Sequence, residues 1–377
     1  MSRAAEAVID LTALTANLEQ VRRHVPGSHI SAVIKANGYG HGMLRVARAL
    51  QQVDAFAVAS IDEALDLRLA GIDRPIVLLE GFFTVDELAL IQRHRLTIVV
   101  HHEEQLRTLE SITVGPQLEA DTPLSVWLKL DTGMHRLGFP PSLTASLVER
   151  LQRCPLVDPA LVLMTHLANA DDRRDSLTER QIACFNDTVA GLDDTDGMDF
   201  SIANSAAVLG WSRQTRVGTG PAWVRPGIML YGVSPFVDTT AADHDLRPVM
   251  TLKSRLIAIR ELKAGDAIGY GGTWYCPEDM RVGVVAIGYG DGYPRAAGNG
   301  TPVLLNGRRA PLVGRVSMDM ITIDLRGHEK AAIGDEVILW GNGLPVEEIA
   351  ACVGTIAYEL LCGVTHRVRF SEFRSNE

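Results

Sequence analysis

The sequence predicts an α/β protein: an N-terminal TIM-like (β/α)8 barrel over residues 1–235, followed by a mostly antiparallel, β-rich C-terminal domain over residues 236–377. Three observations predict it. Short apolar or β-branched runs alternate with longer stretches of helical spacing through the first part of the chain. That alternation stops near Pro235. Beyond it come short β-type runs separated by Gly, Pro, Asn and Asp turns. A chain of 377 residues also exceeds one ordinary core, so two domains are the default.

The expected barrel strands are His29–Lys35, Ala55–Ala59, Ile76–Glu80, Thr97–Val100, Ser125–Leu130, Leu161–His166, Asp199–Ala203 and Ala222–Arg225. A helix over Leu11–His24 precedes them, and helices over Ser60–Ala70, Thr84–Arg95, Glu103–Glu110, Ser142–Arg153 and Ser176–Leu192 lie between them. Ser60 ahead of Glu63 resembles a capping box, and Thr84 stands three residues ahead of Glu87. Parallel neighbours need crossovers, and eight such units suggest a closed barrel. An open doubly wound sheet is the alternative, weakened by the lack of a GxGxxG after an early strand. The polar stretch Asp238–Arg247 reads as the connection to the second domain. There, β runs are expected at Val249–Arg260, Arg281–Ile287, Pro302–Leu305, Ile321–Leu325 and Asp335–Trp340, with helices over Val346–Val353 and Ile356–Leu361.

Barrel enzymes carry their reacting groups at the carboxyl ends of the strands. Those ends here hold Lys35, Lys129 and Arg136, His166, Asn204 and Ser205, and Arg225. Lys35 follows Ala-Val-Ile, and apolar walls disfavour a charged amine; a neutral one can form a Schiff base with an aldehyde. Glycines at 38, 40 and 42 would let backbone approach a ligand. After Arg225-Pro, the N–H groups of Gly227 and Ile228 open a helix start suited to a phosphate, with the Ser205 hydroxyl near. Alone, the first signal reads equally as a lysine past a strand and the second as an ordinary strand-to-helix turn. Together, an aldehyde partner and an anion nest point to pyridoxal 5'-phosphate (PLP).

The formal net charge of −10 argues against nucleic acid or an anionic membrane as the main partner. No segment has the length of a membrane span, and the first residues lack the apolar core of a signal peptide. Five scattered cysteines without a CxxC pair suit a reducing, cytoplasmic location and give no metal or disulfide framework.

The quoted residues resemble the alanine racemases. The likeness runs through Ala32-Val-Ile-Lys-Ala-Asn-Gly-Tyr-Gly-His-Gly42, Leu128-Lys-Leu-Asp-Thr-Gly-Met-His-Arg-Leu-Gly138 and Arg225-Pro-Gly-Ile228. It continues through Gly269-Tyr-Gly-Gly-Thr273, Gly288-Tyr-Gly-Asp-Gly-Tyr293, Gly314-Arg-Val-Ser-Met-Asp319 and Ala357-Tyr-Glu-Leu-Leu-Cys362, in the family's order. The resemblance implies a homodimer in which each β domain reaches into the other subunit's barrel mouth. It makes Lys35 the PLP lysine and Tyr270 the opposing acid/base, supported by His166. Tyr39, Asn204, Ser205, Gly227, Ile228 and Tyr358 would hold the cofactor, and Arg225 would face its ring nitrogen. Arg136 would bind the substrate carboxylate, while Tyr289, Met318 and Asp319 line the entrance. Lys129 matches a lysine that is carbamylated in some members; an ordinary structural ion pair is its other reading.

The implied reaction is interconversion of L- and D-alanine by two bases, serving peptidoglycan synthesis or alanine catabolism. A phenol acts as a base near neutrality only with help from neighbours, and Arg136, Arg225 and His166 are the candidates. The alternatives are a racemase of another small amino acid, a fold-related amino-acid decarboxylase, a non-catalytic PLP carrier and a class I aldolase. The decarboxylase lacks its Cys-Glu-Ser type motif here, and the phosphate nest counts against the aldolase.

Overall fold

The computed structural model describes residues 4–111, 122–218 and 220–374. The chain opens with β1 (Glu6–Asp10) and the helix Leu11–His24. Asp10 caps that helix, its carboxylate accepting from the N–H groups of Thr12 (2.8 Å) and Ala13 (2.9 Å). Leu11, Leu14, Leu18 and Val21 recur at helical spacing and are buried against the barrel.

Eight parallel strands follow: β2 (His29–Val33), β3 (Ala55–Val58), β4 (Ile76–Leu78), β5 (Leu96–Val100), β6 (Val126–Lys129), β7 (Val162–Met164), β8 (Asp199–Ser201) and β9 (Trp223–Val224). They pair in the order β8-β7-β6-β5-β4-β3-β2-β9. The sheet closes where Asn204 bridges Arg225 and the Arg225 N–H donates to Ala203 O at 2.8 Å. Every residue of β3, β4, β5 and β6 is buried, because helices cover one side of a parallel barrel and packed side chains fill the other.

The second half is built around β10 (Met250–Leu262), followed by β11 (Ala267–Ile268), β12 (Trp274–Tyr275), β13 (Met280–Val285), β14 (Pro302–Leu305), β15 (Arg308–Pro311), β16 (Ile321–Asp324), β17 (Glu336–Trp340) and β18 (Arg369–Phe373). β10 pairs antiparallel with β1, β13 and β17. The hairpin of β14 and β15 turns on Asn306 and Gly307, both at positive φ as a two-residue I′ turn requires. The helices Val346–Val353 and Ala357–Cys362 complete this half.

Several expectations shift in detail. β1 did not register as a strand in the sequence: it belongs to the second sheet, antiparallel to β10 and parallel to β18. The first barrel strand stops at Val33, so Lys35 lies in the turn beyond it. Ser60 makes no side-chain cap; only Glu63 reaches back, to the Ala59 N–H at 2.8 Å. The Thr84–Arg95 helix is confined to Glu87–Arg93. The connection contains a short 3-10 turn, Ala241–His244, closed by reciprocal bonds between Thr240 and Asp243.

Candidate active site

Lys35 is followed by a backbone few sequences adopt. Ala36, Asn37, Gly38, Tyr39 and Gly40 all have positive φ, one turn of left-handed helix. Such a turn costs each L-residue about 1–2 kcal/mol, so its partners must hold it. Gly38 N–H donates to Ile34 O (2.8 Å), Gly40 N–H to Ala36 O (3.0 Å), and Asn37 Oδ1 accepts from Met43 N–H (2.9 Å). Gly40 is obligatory for a further reason: a Cβ there would stand 2.1 Å from Leu361 O, so the second half's helix packs directly on this turn.

The turn delivers Tyr39 to the barrel axis, buried, its ring stacked on Tyr231 with centroids 4.7 Å apart and 5.9 Å from that of Tyr358. Burial pushes the Tyr39 and Tyr358 phenols up, so both remain protonated donors. Opposite them, Asn204 caps the helix Ser205–Gly210 through its side chain (Ala207 N–H, 3.0 Å). Ser205 Oγ accepts from Gly227 N–H at 2.8 Å, which leaves its own hydrogen to donate. Ile228 starts a 3-10 turn after Gly227. Gly227 cannot carry a side chain, because a Cβ would approach Tyr39 Oη to 2.5 Å. Gly227 thus lets the Tyr39 hydroxyl come close to the backbone that bonds the Ser205 hydroxyl, and both hydroxyls belong to the wall of one cavity as a cradle for an anion.

Beside the cradle lies a concentration of positive charge. Arg225 is buried and donates to Ser201 Oγ, Thr165 O (2.5 Å) and Ile202 O (3.3 Å). No carboxylate pairs with it among the described residues; desolvation draws its guanidinium down to about 10, still charged at neutrality. Lys129 ends β6, also buried, with its amine pulled to about 8 by desolvation first and then by Arg225, Arg136 and Lys35. Arg136 stands on the loop after β6, shaped by Asp131, whose Oδ1 accepts from the N–H groups of Gly133, Met134 and His135. Desolvation, then Arg225, Lys129, Arg136 and Lys35, push His166 well below its ordinary value, so the imidazole is neutral. Around these groups is a cavity of about 870 Å³, the size of a cofactor-plus-substrate site.

Lys35, Tyr39, Lys129, Arg136, His166, Asn204, Ser205, Arg225, Gly227, Ile228 and Tyr358 line that one cavity. Tyr270, Tyr289 and Met318 do not reach it from their own chain: they stand exposed on the second half, Tyr270 at 71%. Asp319 lies with them, ion-paired to Arg367. Sequence reasoning missed Ser201 and the Thr165 carbonyl, which aim Arg225, and the acids Glu80, Asp171 and Glu347 at the cavity wall. Ser201 was findable as the polar end of β8. A backbone carbonyl leaves no mark in a sequence.

The comparisons with known proteins agree with this geometry. The model of the alanine racemase N-terminal domain matches residues 9–235, and that of the alanine racemase C-terminal domain matches residues 249–371. An alanine racemase from Nitrosococcus oceani is 54% identical over 363 residues, 96% of this chain and 98% of that protein. One from Vibrio vulnificus is 50% identical over 98% of this chain and 99% of its own length. The crystal structure of the biosynthetic alanine racemase from Pseudomonas aeruginosa superposes with a TM-score of 0.90 at 44% identity, covering 98% of this chain and 99% of that one. With both halves matched in order, this chain belongs to the alanine racemase family.

Proposed function

We propose that the protein interconverts L- and D-alanine using PLP held at Lys35, by proton transfers on two faces of the substrate. The observation that carries the reading is the convergence, on one barrel mouth, of Lys35, a phosphate cradle and three further basic residues: Lys129, Arg136 and Arg225. The residues present fit the cofactor. Tyr39, Ser205, Gly227, Ile228 and Tyr358, with Asn204 fixing the Ser205 helix, would hold its phosphate. Lys35 would form the Schiff base to its aldehyde. When bound, PLP supplies the electron-withdrawing ring that makes the α-proton of an amino acid removable.

The chain's own groups then handle the proton. Lys35 would hold or deliver a proton on one face of Cα. Tyr270 of the partner subunit does so on the other, with neutral His166 as its support. Arg136 binds the substrate carboxylate. Arg225, charged and fixed by three acceptors, would offer N–H donors rather than a carboxylic acid to the cofactor's ring nitrogen. That confines proton traffic to Cα. Lys129, in the reading we favour, is carbamylated and orients Arg136. The N-terminal part (residues 1–235), apart from β1, which joins the second sheet, would carry the cofactor. The β domain (residues 236–377) completes the other subunit's site, with Tyr289, Met318 and Asp319 at the entrance. No helix among the described residues is long and apolar enough to cross a membrane. All five cysteines are free, which suits the cytoplasmic location we propose. The homodimer is proposed on the family resemblance and on the exposed Tyr270, Tyr289 and Met318.

The test is to incubate purified protein with L-alanine, with and without added PLP, and to follow D-alanine by chiral chromatography. D-alanine is expected, with complete loss in Lys35→Ala. PLP absorbance without D-alanine would leave the cofactor reading standing and overturn the reaction.

A further inference from the structure

The peptide group that joins Lys35 to Ala36 is held from outside its own loop. Its N–H donates to Glu63 Oε1 at 2.7 Å, while Glu63 Oε2 accepts from the Ala59 N–H at 2.8 Å. Glu63 lies in the first turn of the helix Ile61–Leu69, which follows β3, the parallel neighbour of β2. One carboxylate therefore staples two adjacent βα loops across the barrel mouth. The loop it grips is the strained one: Ala36, Asn37 and Tyr39 are L-residues held at positive φ directly after Lys35. Within that turn, the bonds from Gly38 to Ile34 and from Gly40 to Ala36 fix its pitch. Neither fixes the plane of the peptide that follows Lys35. Glu63 is the side chain that holds it from outside the turn, through the Ala36 N–H, and that plane bears on the direction from which the Lys35 side chain departs.

We propose that Glu63 is a positioning residue for Lys35: by accepting from the Ala36 N–H it locks the left-handed turn and aims the lysine amine. A carboxylate suits the task because it accepts two N–H bonds at once with charge assistance. Glutamine accepts with only one oxygen, and its amide would meet the second N–H donor to donor. The inference rests on the reading of Lys35 as the PLP lysine, and the experiment separates the two.

Hydrogen–deuterium exchange on the apo-protein reads the turn without any cofactor. In Glu63→Ala the amides of residues 35–40 are expected to exchange at least about tenfold faster, with β6–β8 unchanged. On the loaded protein, PLP release during dialysis is expected to quicken about tenfold. The primary isotope effect with α-deuterated alanine is expected to rise for one enantiomer only, the one whose α-proton faces Lys35. Glu63→Gln, which keeps one acceptor, is expected to fall between wild type and Glu63→Ala, and it carries the test if Glu63→Ala does not fold. Asp62→Ala, an exposed neighbour on the same helix, is the control and should behave as wild type. The proposal is overturned if Glu63→Ala keeps turn protection and PLP retention, or if exchange rises uniformly over the barrel and both isotope effects stay put. Should borohydride, which fixes a Schiff-base PLP to its lysine, leave Lys35 unlabelled by peptide mass mapping, the reading of Lys35 falls, while apo-protein exchange still decides whether Glu63 holds the turn.

Discussion

Lys129 shows how a single side chain is set by its neighbours. Burial and three nearby cations bring its amine to about 8, so on the order of a tenth is uncharged at neutrality. The ammonium first gives one proton to water, and the uncharged amine then adds to carbon dioxide. The N–C bond forms, the electron pair of one C=O bond moves onto oxygen, and a second proton leaves to water, so that a cation has become an anion. That exchange would relieve the crowding of positive charge that lowered the amine in the first place. Glu80 is the one acid acting the other way on Lys129, so an ordinary ion pair is the competing outcome. Wild-type protein in 13C-bicarbonate is expected to show a carbamate carbon resonance that Lys129→Ala lacks. The variant should raise KM for alanine about tenfold, partly restored by acetate standing in for the missing anion. No resonance and no response to acetate would leave Lys129 as a partner of Glu80.

At the scale of elements, the left-handed turn after Lys35 adds a pH-sensitive support. His41 is buried, and its Nδ1 lies 3.1 Å from Gly38 O and 2.9 Å from Tyr39 O. Carbonyls only accept, so Nδ1 carries the hydrogen and Nε2 is left a bare acceptor in the interior. Protonating Nε2 would bury a charge, and desolvation holds His41 down at about 4. Because the unfolded chain binds that proton from about 6.5 downward, folding is favoured in full above that pH and is lost as pH falls towards 4. The loss amounts to about 3 kcal/mol, and His166 adds to it with the same sign. Urea midpoints measured from pH 7 to 4 are expected to fall, less steeply in His41→Gln; equal slopes would remove His41 from the account. This turn also marks where the sequence stops being legible. The barrel strands read clearly because buried parallel strands are continuous apolar runs. Gly38, Gly40 and Gly42 announced unusual backbone, but Ala36, Asn37 and Tyr39 carry no such signal. Their conformation comes from Glu63, Met43 and Leu361, which only the fold brings near. β1 was missed for a similar reason: its partners lie some 240 and 360 residues along the chain.

Across the whole molecule, the candidate site divides into two groups that one chain does not bring together. Eleven of the residues singled out from the sequence line one cavity, whereas Tyr270, Tyr289 and Met318 stand exposed on the second half. Most of the first group was legible from the residues themselves, since strand ends of a barrel converge, whereas Tyr39 and Tyr358, the latter on a helix of the second half, came only from the resemblance. The second was legible only through family resemblance, because no pattern in one chain records a two-fold axis. Tyr270, Tyr275, Met318 and Met320 are each exposed, which is consistent with contact to another subunit. If each site takes Lys35 from one subunit and Tyr270 from its partner, two dead variants should complement. Lys35→Ala and Tyr270→Ala, each inactive alone, would form mixed dimers on co-refolding. In a mixed dimer one site lacks both groups and the other has both. Random pairing makes half the dimers mixed, with one live site of two, so about a quarter of wild-type activity should return. That activity should fall on dilution as dimers separate. If the mixture stays inactive while mixed dimers are detected by mass, both groups serve the same subunit's site, and Tyr270 must then reach the cavity of its own chain by a movement of the second half.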